Sequence, residues 1–230
     1  MTVKVGINGF GRIGRAFTRL ALERTDLQVV AINDITDART MAHLLAFDST
    51  YGRLGRTVEH TDDALIVAGD PIPVLAERDP AGIDWATLGA DVVIESTGKF
   101  LTRDGAARAT GEVIPDLAGK LDGVAIRVPV EDGSLTDLAV VLSRDVTAEE
   151  VNRAFATAAF DPKSPLGGVL RYCTDPIVSR DIIGDSASCV FDSELTQASG
   201  RLVKVFGWYD NEWGYTSRLA DLAALVGEQL

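Results

Sequence analysis

The sequence predicts an α/β unit built on a parallel sheet, followed by an α+β unit with a mainly antiparallel sheet. Residues 3–8 have a strand pattern, residues 27–32 form a continuous apolar run of strand length, and residues 12–23 between them place apolar side chains at helical spacing. Continuous apolar runs are typical of strands buried on both faces of a parallel sheet. After about residue 105, short strand patterns follow one another, which is typical of an antiparallel sheet.

The rest of the first unit repeats these signals. Residues 40–47 have a helical pattern, and two β-rich stretches between residues 56 and 77 flank the turn residues 61–63 (TDD). That arrangement predicts antiparallel hairpins. Residues 91–96 (DVVIES) form another buried-strand pattern.

The second unit begins with a predicted hairpin. Val124–Val130 and Leu135–Ser143 have strand patterns, and residues 131–134 (EDGS) supply the turn between them. Thr147 followed by Glu150 is a capping-box pattern, which predicts the start of a helix.

Three more strands and a terminal helix complete the predicted fold. The strand patterns cover residues 169–173, 188–191 and 202–209. The last helix is predicted to begin at about Tyr215 and to bury one stripe of large side chains, Leu219, Leu222 and Val226.

Composition excludes several classes of protein. A chain of 230 residues accommodates one large or two small domains. The formal net charge of −12 and the pI near 4.6 argue against nucleic-acid and anionic-membrane partners. Two cysteines without metal-ligand spacing predict neither a disulfide scaffold nor a metal site. Without a membrane-length apolar run or a signal-peptide pattern, we expect a globular protein of the cytoplasm.

A glycine-rich turn follows the first predicted strand and precedes the first predicted helix. Its G-x-G-x-x-G pattern gains specificity from that context, because the mechanism needs a strand, a tight turn and a helix N-terminus in this order. The helix N-terminus then offers backbone N–H groups to a pyrophosphate. The alternative is a glycine-rich turn that only caps an ordinary helix. The predicted cofactor-binding residues here are Gly9, Phe10, Gly11, Arg12, Ile13 and Gly14.

An acidic residue stands where such a loop requires one. Asp34 ends the second predicted strand, twenty residues after Gly14, where a carboxylate accepts hydrogen bonds from the adenosine ribose. A carboxylate at that position also repels a 2′-phosphate. The sequence therefore predicts NAD rather than NADP as the cofactor.

Longer motifs give a more specific resemblance. The stretches VKVGINGFGRIGR, AINDITD, FDSTYGR, ERDP and IESTGKF, and later GKLDGVAIRVPV, DPIVSRD and WYDNEWGYTSR, resemble the two ends of glyceraldehyde-3-phosphate dehydrogenases in order. The resemblance covers nearly all of the chain. It implies a Rossmann-type NAD-binding domain and an α+β catalytic domain. It also implies NAD-dependent, phosphorylating oxidation of glyceraldehyde 3-phosphate in glycolysis; a relative acting on erythrose 4-phosphate shares these motifs.

The resemblance is interrupted inside the chain. Family members carry a nucleophilic cysteine in an S-x-C-T-T-N motif after the ESTG strand, then a histidine base and a long loop. Here IESTGKFLTRD continues directly into GAARATGEV, so we predict that about a third of a family-length chain is missing near Asp104-Gly105. We expect a parallel sheet truncated at an exposed edge. Asp104 also replaces the family threonine of the phosphate site.

The chain's own cysteines and histidines do not match the missing groups. Cys173 and Cys189 align with non-catalytic family positions and are interpreted as small buried hydrophobic residues. His43 in a helical run and His60 in a predicted hairpin do not align with the family base. No catalytic residue is identified, and we expect the chain to be inactive or severely impaired.

Other site residues are implied by the resemblance alone. Asn211 aligns with the residue that binds the nicotinamide carboxamide, Tyr215 with a tyrosine near the thiol, and Arg127 with an anion-site arginine. An arginine pairing with an acidic neighbour on a strand is the alternative for Arg127. Residues that line the cofactor are Arg78, Ser96 and Thr97.

The interruption leaves the activity open between three hypotheses: an active dehydrogenase, a non-catalytic NAD-binding protein, and a deletion product without independent function. The predicted domains are 1–104 with 211–230, which bind NAD, and 105–210, a remnant of the catalytic domain. The family tetramer uses the missing loop, so we expect it not to form, while a homodimer through the remaining sheet stays open.

Overall fold

In the computed structural model, which describes residues 2–98, 113–123 and 125–229, strands gather into two main sheets. The junction Asp104-Gly105 lies outside the described residues. The first sheet has six strands in the order β5-β6-β7-β2-β1-β8. Their bounds are Val3–Asn8 (β1), Leu27–Asn33 (β2), Val58–His60 (β5), Ala64–Val67 (β6), Asp70–Leu75 (β7) and Val92–Glu95 (β8).

This sheet is parallel at its centre and antiparallel at one side. β7, β2, β1 and β8 run parallel, whereas β5, β6 and β7 pair antiparallel as the turn residues predicted. β8 ends the sheet among the described strands. The predicted α/β class with a Rossmann-type parallel sheet is confirmed. A separate two-stranded ribbon joins Phe47–Asp48 (β3) to Gly52–Arg53 (β4).

Helices from both ends of the chain cover this sheet. The helices Arg12–Ala21 (α1) and Ala38–Ala46 (α2) are joined by the last helix, Trp213–Gly227 (α4), which packs on α1 and β1. A Cβ at Gly227 would overlap the Val3 side chain, so only glycine permits this approach. The core combines strand residues with small residues of α4, among them Val5, Ile7, Phe17, Ile32, Ala220, Ala223 and Ala224.

The predicted buried stripe of α4 is wrong at two of its three positions. Leu219 packs partly against the core, but Leu222 is 54% exposed and Val226 is 40% exposed. The buried face carries Ala220 and Ala223 instead. The close approach to β1 leaves no room for larger side chains there, so hydrophobic size indicates the wrong face.

The second sheet contains the strands Ser134–Val141 (β9), Leu170–Cys173 (β10), Cys189–Asp192 (β11), Gln197–Ser199 (β12) and Leu202–Tyr209 (β13). β13 pairs antiparallel with β9 along one edge and with β11 and β12 along the other, and β10 extends the sheet in parallel with β11. The mainly antiparallel α+β prediction is therefore confirmed.

The predicted strand at Val124–Val130, and the hairpin built on it, are wrong. Residues 125–130 lie in no strand, and Val124 is outside the described residues. β9, the partner that the predicted hairpin requires, pairs only with β13 among the described strands. Ile126 remains 81% exposed. Apolar alternation alone therefore does not produce a strand here, and Pro129 lacks one of the backbone donors that pairing would need.

The helix Ala148–Phe160 (α3) begins where the capping box predicted. The Thr147 side chain accepts from the Glu150 N–H, and the Glu150 side chain accepts from the Thr147 N–H. Phe155 stacks on Phe191 of the second sheet at a ring separation of 3.9 Å. Within the described residues, no helix combines the length and apolarity that crossing a membrane requires.

Candidate cofactor site

The candidate site lies at the carboxyl ends of the parallel strands. β1 sits between β2 and β8, and the chain leaves it through α1 toward β2, whereas β8 pairs on its other side. Such a switch point leaves a crevice above the strand ends, where open α/β sheets bind their ligands. The loops after β1, β2, β7 and β8 all reach this edge.

The glycines after β1 satisfy the steric demands of a tight loop. Gly9 has φ +100°, and a Cβ there would lie 2.6 Å from the Thr97 nitrogen. A Cβ at Gly14 would overlap the Gly9 carbonyl oxygen, so α1 packs directly on the loop. A Cβ at Gly11 would meet no atom within 4 Å, so open space faces this position. In this space a ligand pyrophosphate could come close to the protein backbone at Gly11.

The N-terminus of α1 faces the same space. Gly11 is its N-cap residue, and no side chain caps this end. The first-turn N–H groups of Arg12, Ile13 and Gly14 therefore suit an anion such as a pyrophosphate. The Arg12 side chain is 77% exposed and pairs with Glu212 at 2.5 Å.

Asp34 is tied directly to the glycine loop. Its Oδ2 accepts from the Phe10 N–H at 2.6 Å, and its Oδ1 accepts from the Thr36 N–H at 2.9 Å. Burial by itself raises the pKa of Asp34, but these backbone hydrogen bonds outweigh it, so the pKa lies below the ordinary value. The carboxylate therefore stays ionised. Each oxygen still has a lone pair for a ribose hydroxyl.

A ladder of buried amides, which sequence reasoning missed, connects the strand ends. The Asn33 side chain donates to the Asn8 Oδ1 at 2.8 Å, and the Asn8 side chain donates to the Glu95 Oε2 at 2.5 Å. Asn33 also exchanges hydrogen bonds with the backbone of Glu77. The sequence signal that could have predicted this ladder is that both β1 and β2 end in an asparagine.

The residues after β8 and β7 complete this edge. The Ser96 hydroxyl donates to the Gly9 carbonyl oxygen at 2.6 Å, so the loops after β1 and β8 are joined. Thr97 donates from both its N–H and its hydroxyl to the Glu95 side chain. Arg78 follows β7 and is exposed.

The chain reaches the site again at the start of α4. Asn211 directly precedes Glu212, and the Glu212 carboxylate pairs with the side chain of Arg12 from the glycine loop. The Asn211 amide donates to the Asp132 Oδ1 at 2.9 Å and accepts from the Ser134 hydroxyl at 3.1 Å. Tyr215 is 57% exposed and lines a cavity of about 300 Å³ with Asn211.

The predicted anion site is not assembled in the described part of the chain. Arg127 is exposed in an irregular segment, so the strand pairing considered for it is wrong. Asp104 lies outside the described residues. No described contact joins Arg127 to the glycine loop.

The cysteines and histidines are likewise dispersed. Cys173 and Cys189 are free thiols on neighbouring strands of the second sheet. Burial raises the pKa of the Cys189 thiol, which disfavours the thiolate. His43 is exposed on α2, where it contacts Phe47, and His60 is exposed on β5. The described contacts join neither histidine to a cysteine.

A glycine loop at a strand–helix turn, an acid after the next strand and a switch point together define a dinucleotide-binding protein of the doubly wound α/β class. The family model for the NAD-binding domain of glyceraldehyde 3-phosphate dehydrogenase matches residues 3–103, and the model for the C-terminal domain of that enzyme matches residues 100–211. The chain belongs to the glyceraldehyde-3-phosphate dehydrogenase family, and NAD is the cofactor of its first domain.

Curated relatives agree with this membership. Glyceraldehyde-3-phosphate dehydrogenase of Streptomyces coelicolor is 39% identical over 338 aligned positions, which cover 100% of both chains. The similarly named enzyme of Mycobacterium leprae is 36% identical over 342 positions, again over 100% of both chains. Because the chain has 230 residues, at least 108 positions of the first alignment lie opposite gaps in it.

Proposed function

We propose that this chain binds NAD as a member of the dehydrogenase family but lacks the groups that attack the aldehyde, so that its oxidation of glyceraldehyde 3-phosphate is absent or severely impaired. One observation carries the proposal. The cofactor loops are joined by Asp34–Phe10 and Ser96–Gly9 hydrogen bonds, whereas both thiols lie on the second sheet without a histidine partner.

Each part of the cofactor has a candidate partner. The glycine loop and the N-terminus of α1 hold the pyrophosphate, Asp34 binds the adenosine ribose, and Asn211 binds the nicotinamide carboxamide. NAD, when bound, supplies the hydride acceptor. The remaining proposed contacts are Arg78, Ser96 and Thr97 for the cofactor, Arg127 for an anion and Tyr215 beside the nicotinamide.

The covalent step lacks its reactants in the described part of the chain. Thiol-based aldehyde oxidation forms a bond from a thiolate sulfur to the aldehyde carbon, and a nearby base must take the proton. Cys189 is held as a thiol by burial. Cys173 contacts a backbone oxygen, that of Asp175, at 3.6 Å.

An internal deletion accounts for this loss. We place it near Asp104-Gly105, and the 108 or more unmatched alignment positions support a missing segment of that order. The division into a cofactor domain of residues 1–104 with 211–230 and a remnant of residues 105–210 follows from the same proposal. The packing of α4 on α1 and β1 supports it.

Two assays on the purified chain test the proposal. NAD at saturating concentration is expected to raise the Tm, because a ligand that binds only the folded state stabilises it. Formation of NADH from glyceraldehyde 3-phosphate or erythrose 4-phosphate, with NAD and phosphate, is expected to stay at the level of a mock preparation.

Either assay can overturn its part of the proposal. Phosphate-dependent NADH formation that disappears in Cys173→Ser or Cys189→Ser would show that another thiol acts as the nucleophile. An unchanged Tm at saturating NAD would leave a deletion product without cofactor binding.

A further inference from the structure

The orientation of the Asn211 amide is determined by two neighbours. A carboxamide is nearly symmetric in shape but not in chemistry, since one end donates and the other accepts. Asp132 Oδ1, an acceptor, takes the Nδ2 end at 2.9 Å, and the Ser134 hydroxyl donates to the Oδ1 end at 3.1 Å. The flipped amide would face the Asp132 carboxylate with its own oxygen, which is repulsive.

The second sheet places both neighbours. Ser134 begins β9 and lies opposite Tyr209 at the end of β13, so the β9–β13 register brings residues 132–134 beside Asn211. Asp132 is itself held from two sides. Its Oδ1 accepts from the Gly133 N–H at 2.7 Å, and its Oδ2 accepts from the Tyr51 hydroxyl at 3.0 Å.

The oriented amide keeps one donor and one acceptor for a ligand. Of its two N–H groups, one is directed to Asp132, and of its two lone pairs, one is taken by Ser134. The remaining N–H and lone pair match the oxygen and amide nitrogen of a second carboxamide. A freely rotating Asn211 would have to lose that freedom on binding, which weakens association.

We propose that Asp132 is a positioning residue that holds the Asn211 amide in the one orientation that accepts the nicotinamide carboxamide. The inference rests on the proposed role of Asn211 in NAD binding. Asp132 makes no contact with the cofactor itself and acts through Asn211.

The test compares NAD with ADP-ribose, which lacks the nicotinamide, by titration calorimetry. Asp132→Ala is expected to weaken NAD binding about three- to tenfold, the effect of one hydrogen bond, and to leave ADP-ribose binding unchanged. Asp132→Asn retains an oxygen acceptor and is expected to restore NAD affinity. Asp137→Ala is the matched control. Asp137 lies on β9 and forms an exposed ion pair with Lys204 of β13.

A double-mutant cycle separates positioning from general structure. In an Asn211→Ala background, Asp132→Ala is expected to have no further effect on NAD affinity. Ser134→Ala removes the hydrogen bond to the Asn211 oxygen and is expected to give a smaller loss of affinity that is again specific to NAD. This variant replaces Asp132→Ala in the test if Asp132→Ala lowers the Tm.

The outcomes distinguish this inference from the proposed function. Equal losses for NAD and ADP-ribose in Asp132→Ala and Ser134→Ala, or additive effects in the cycle, would overturn the positioning role. Equal affinity of the wild-type chain for NAD and ADP-ribose would also overturn the positioning role, although the cofactor loops would still bind the ADP-ribose part. A wild-type chain that binds neither ligand overturns both.

Discussion

The three glycines of the turn between β1 and α1 have three different surroundings. Gly9 needs its positive φ and its closeness to Thr97, Gly14 needs contact with the Gly9 carbonyl, and Gly11 borders open space. The first two are required by the fold, because backbone atoms stand where a Cβ would be. Gly11 is required only if a ligand occupies the space in front of it.

Gly9→Ala and Gly11→Ala are therefore expected to affect different properties, the first the stability of the fold and the second the response to NAD. Gly9→Ala destabilises the folded state by about 1–3 kcal/mol, since it places a side chain in a strained backbone conformation. Gly11→Ala costs less than about 1 kcal/mol but abolishes most of the Tm increase caused by NAD. Thermal unfolding with and without NAD measures both effects. A full NAD response in Gly11→Ala would contradict a pyrophosphate at this position.

Some site residues can be predicted from sequence spacing, and others are brought together only by the fold. The glycine loop and Asp34 are local in sequence, and their roles follow from a strand–turn–helix order that spacing describes. Asn8 and Asn33 act across β1 and β2, and their pairing depends on strand neighbours. The Asn211–Asp132 contact spans 79 positions between different elements, so only the fold brings it into view.

At the scale of elements, the last helix shows the limit of hydrophobic size as a guide. α4 buries Ala220, Ala223 and Gly227 against β1 and α1, while Leu222 stays exposed. Periodicity locates a helix because it depends on the chain alone. The face that is buried depends on how closely a neighbour approaches. The strand wrongly predicted at residues 124–130 shows that local apolar alternation does not by itself produce strand pairing, for which Pro129 also lacks a donor.

Substitutions on the two faces of α4 test this packing. Ala220→Leu is expected to destabilise the protein by about 1–3 kcal/mol, because extra volume at a 1% exposed position cannot be accommodated. Leu222→Ala, two residues away and exposed, is expected to change the free energy of unfolding by less than about 0.5 kcal/mol. Urea denaturation followed by circular dichroism compares them. The reverse ranking would mean that α4 packs through its leucines.

The start of α3 offers a second element-scale prediction. Thr147→Ala removes the side-chain acceptor of the capping box and is expected to cost about 1 kcal/mol. Thr157→Ala, an exposed position within the same helix, is the control and is expected to be neutral or stabilising, since alanine has the higher helix propensity. Urea denaturation of both variants at pH 7 checks the difference, and equal losses would argue against a specific role of the cap.

The same capping box has a pH dependence. The Thr147 N–H donates to Glu150, and this hydrogen bond lowers the pKa of Glu150 below its ordinary value. A carboxyl group with a lowered pKa contributes stability above its unfolded pKa and loses it as the pH falls through the folded pKa. The contribution is therefore present at neutral pH and lost in acid.

At the scale of the whole molecule, one hydroxyl joins three distant segments. The Tyr51 hydroxyl lies 3.0 Å from Asp132 Oδ2 and 3.1 Å from Asp210 Oδ1, and its ring packs on Trp213. Asp210 is 1% exposed and accepts from three backbone N–H groups, those of Gly184, Glu212 and Trp213. One hydroxyl can donate to only one of the two carboxylates, so the other faces a neighbouring negative charge.

This arrangement makes Asp132 a source of pH-dependent stability. Burial raises the pKa of Asp132, and the charge of Asp210 adds to the effect. A group with a raised pKa contributes stability below its unfolded pKa, about 3.9 for aspartate, and loses it as the pH rises through the folded pKa. Ionised Asp132 therefore opposes folding at neutral pH, although it orients Asn211.

Asp132→Asn and Tyr51→Phe are expected to shift stability in opposite directions. Asp132→Asn removes the repulsion and should raise the Tm at pH 7 by on the order of a few degrees, with the difference shrinking as the pH falls and wild-type Asp132 takes up a proton. Tyr51→Phe keeps the ring contact with Trp213 but removes the donor, so it should lower the Tm more at high pH than at low pH, because ionisation of Asp132 adds negative charge beside Asp210. Thermal unfolding of the three proteins from pH 4 to pH 8 measures this. A pH-independent difference between Asp132→Asn and wild type would mean that the fold does not raise the pKa of Asp132, which would contradict repulsion between Asp132 and Asp210.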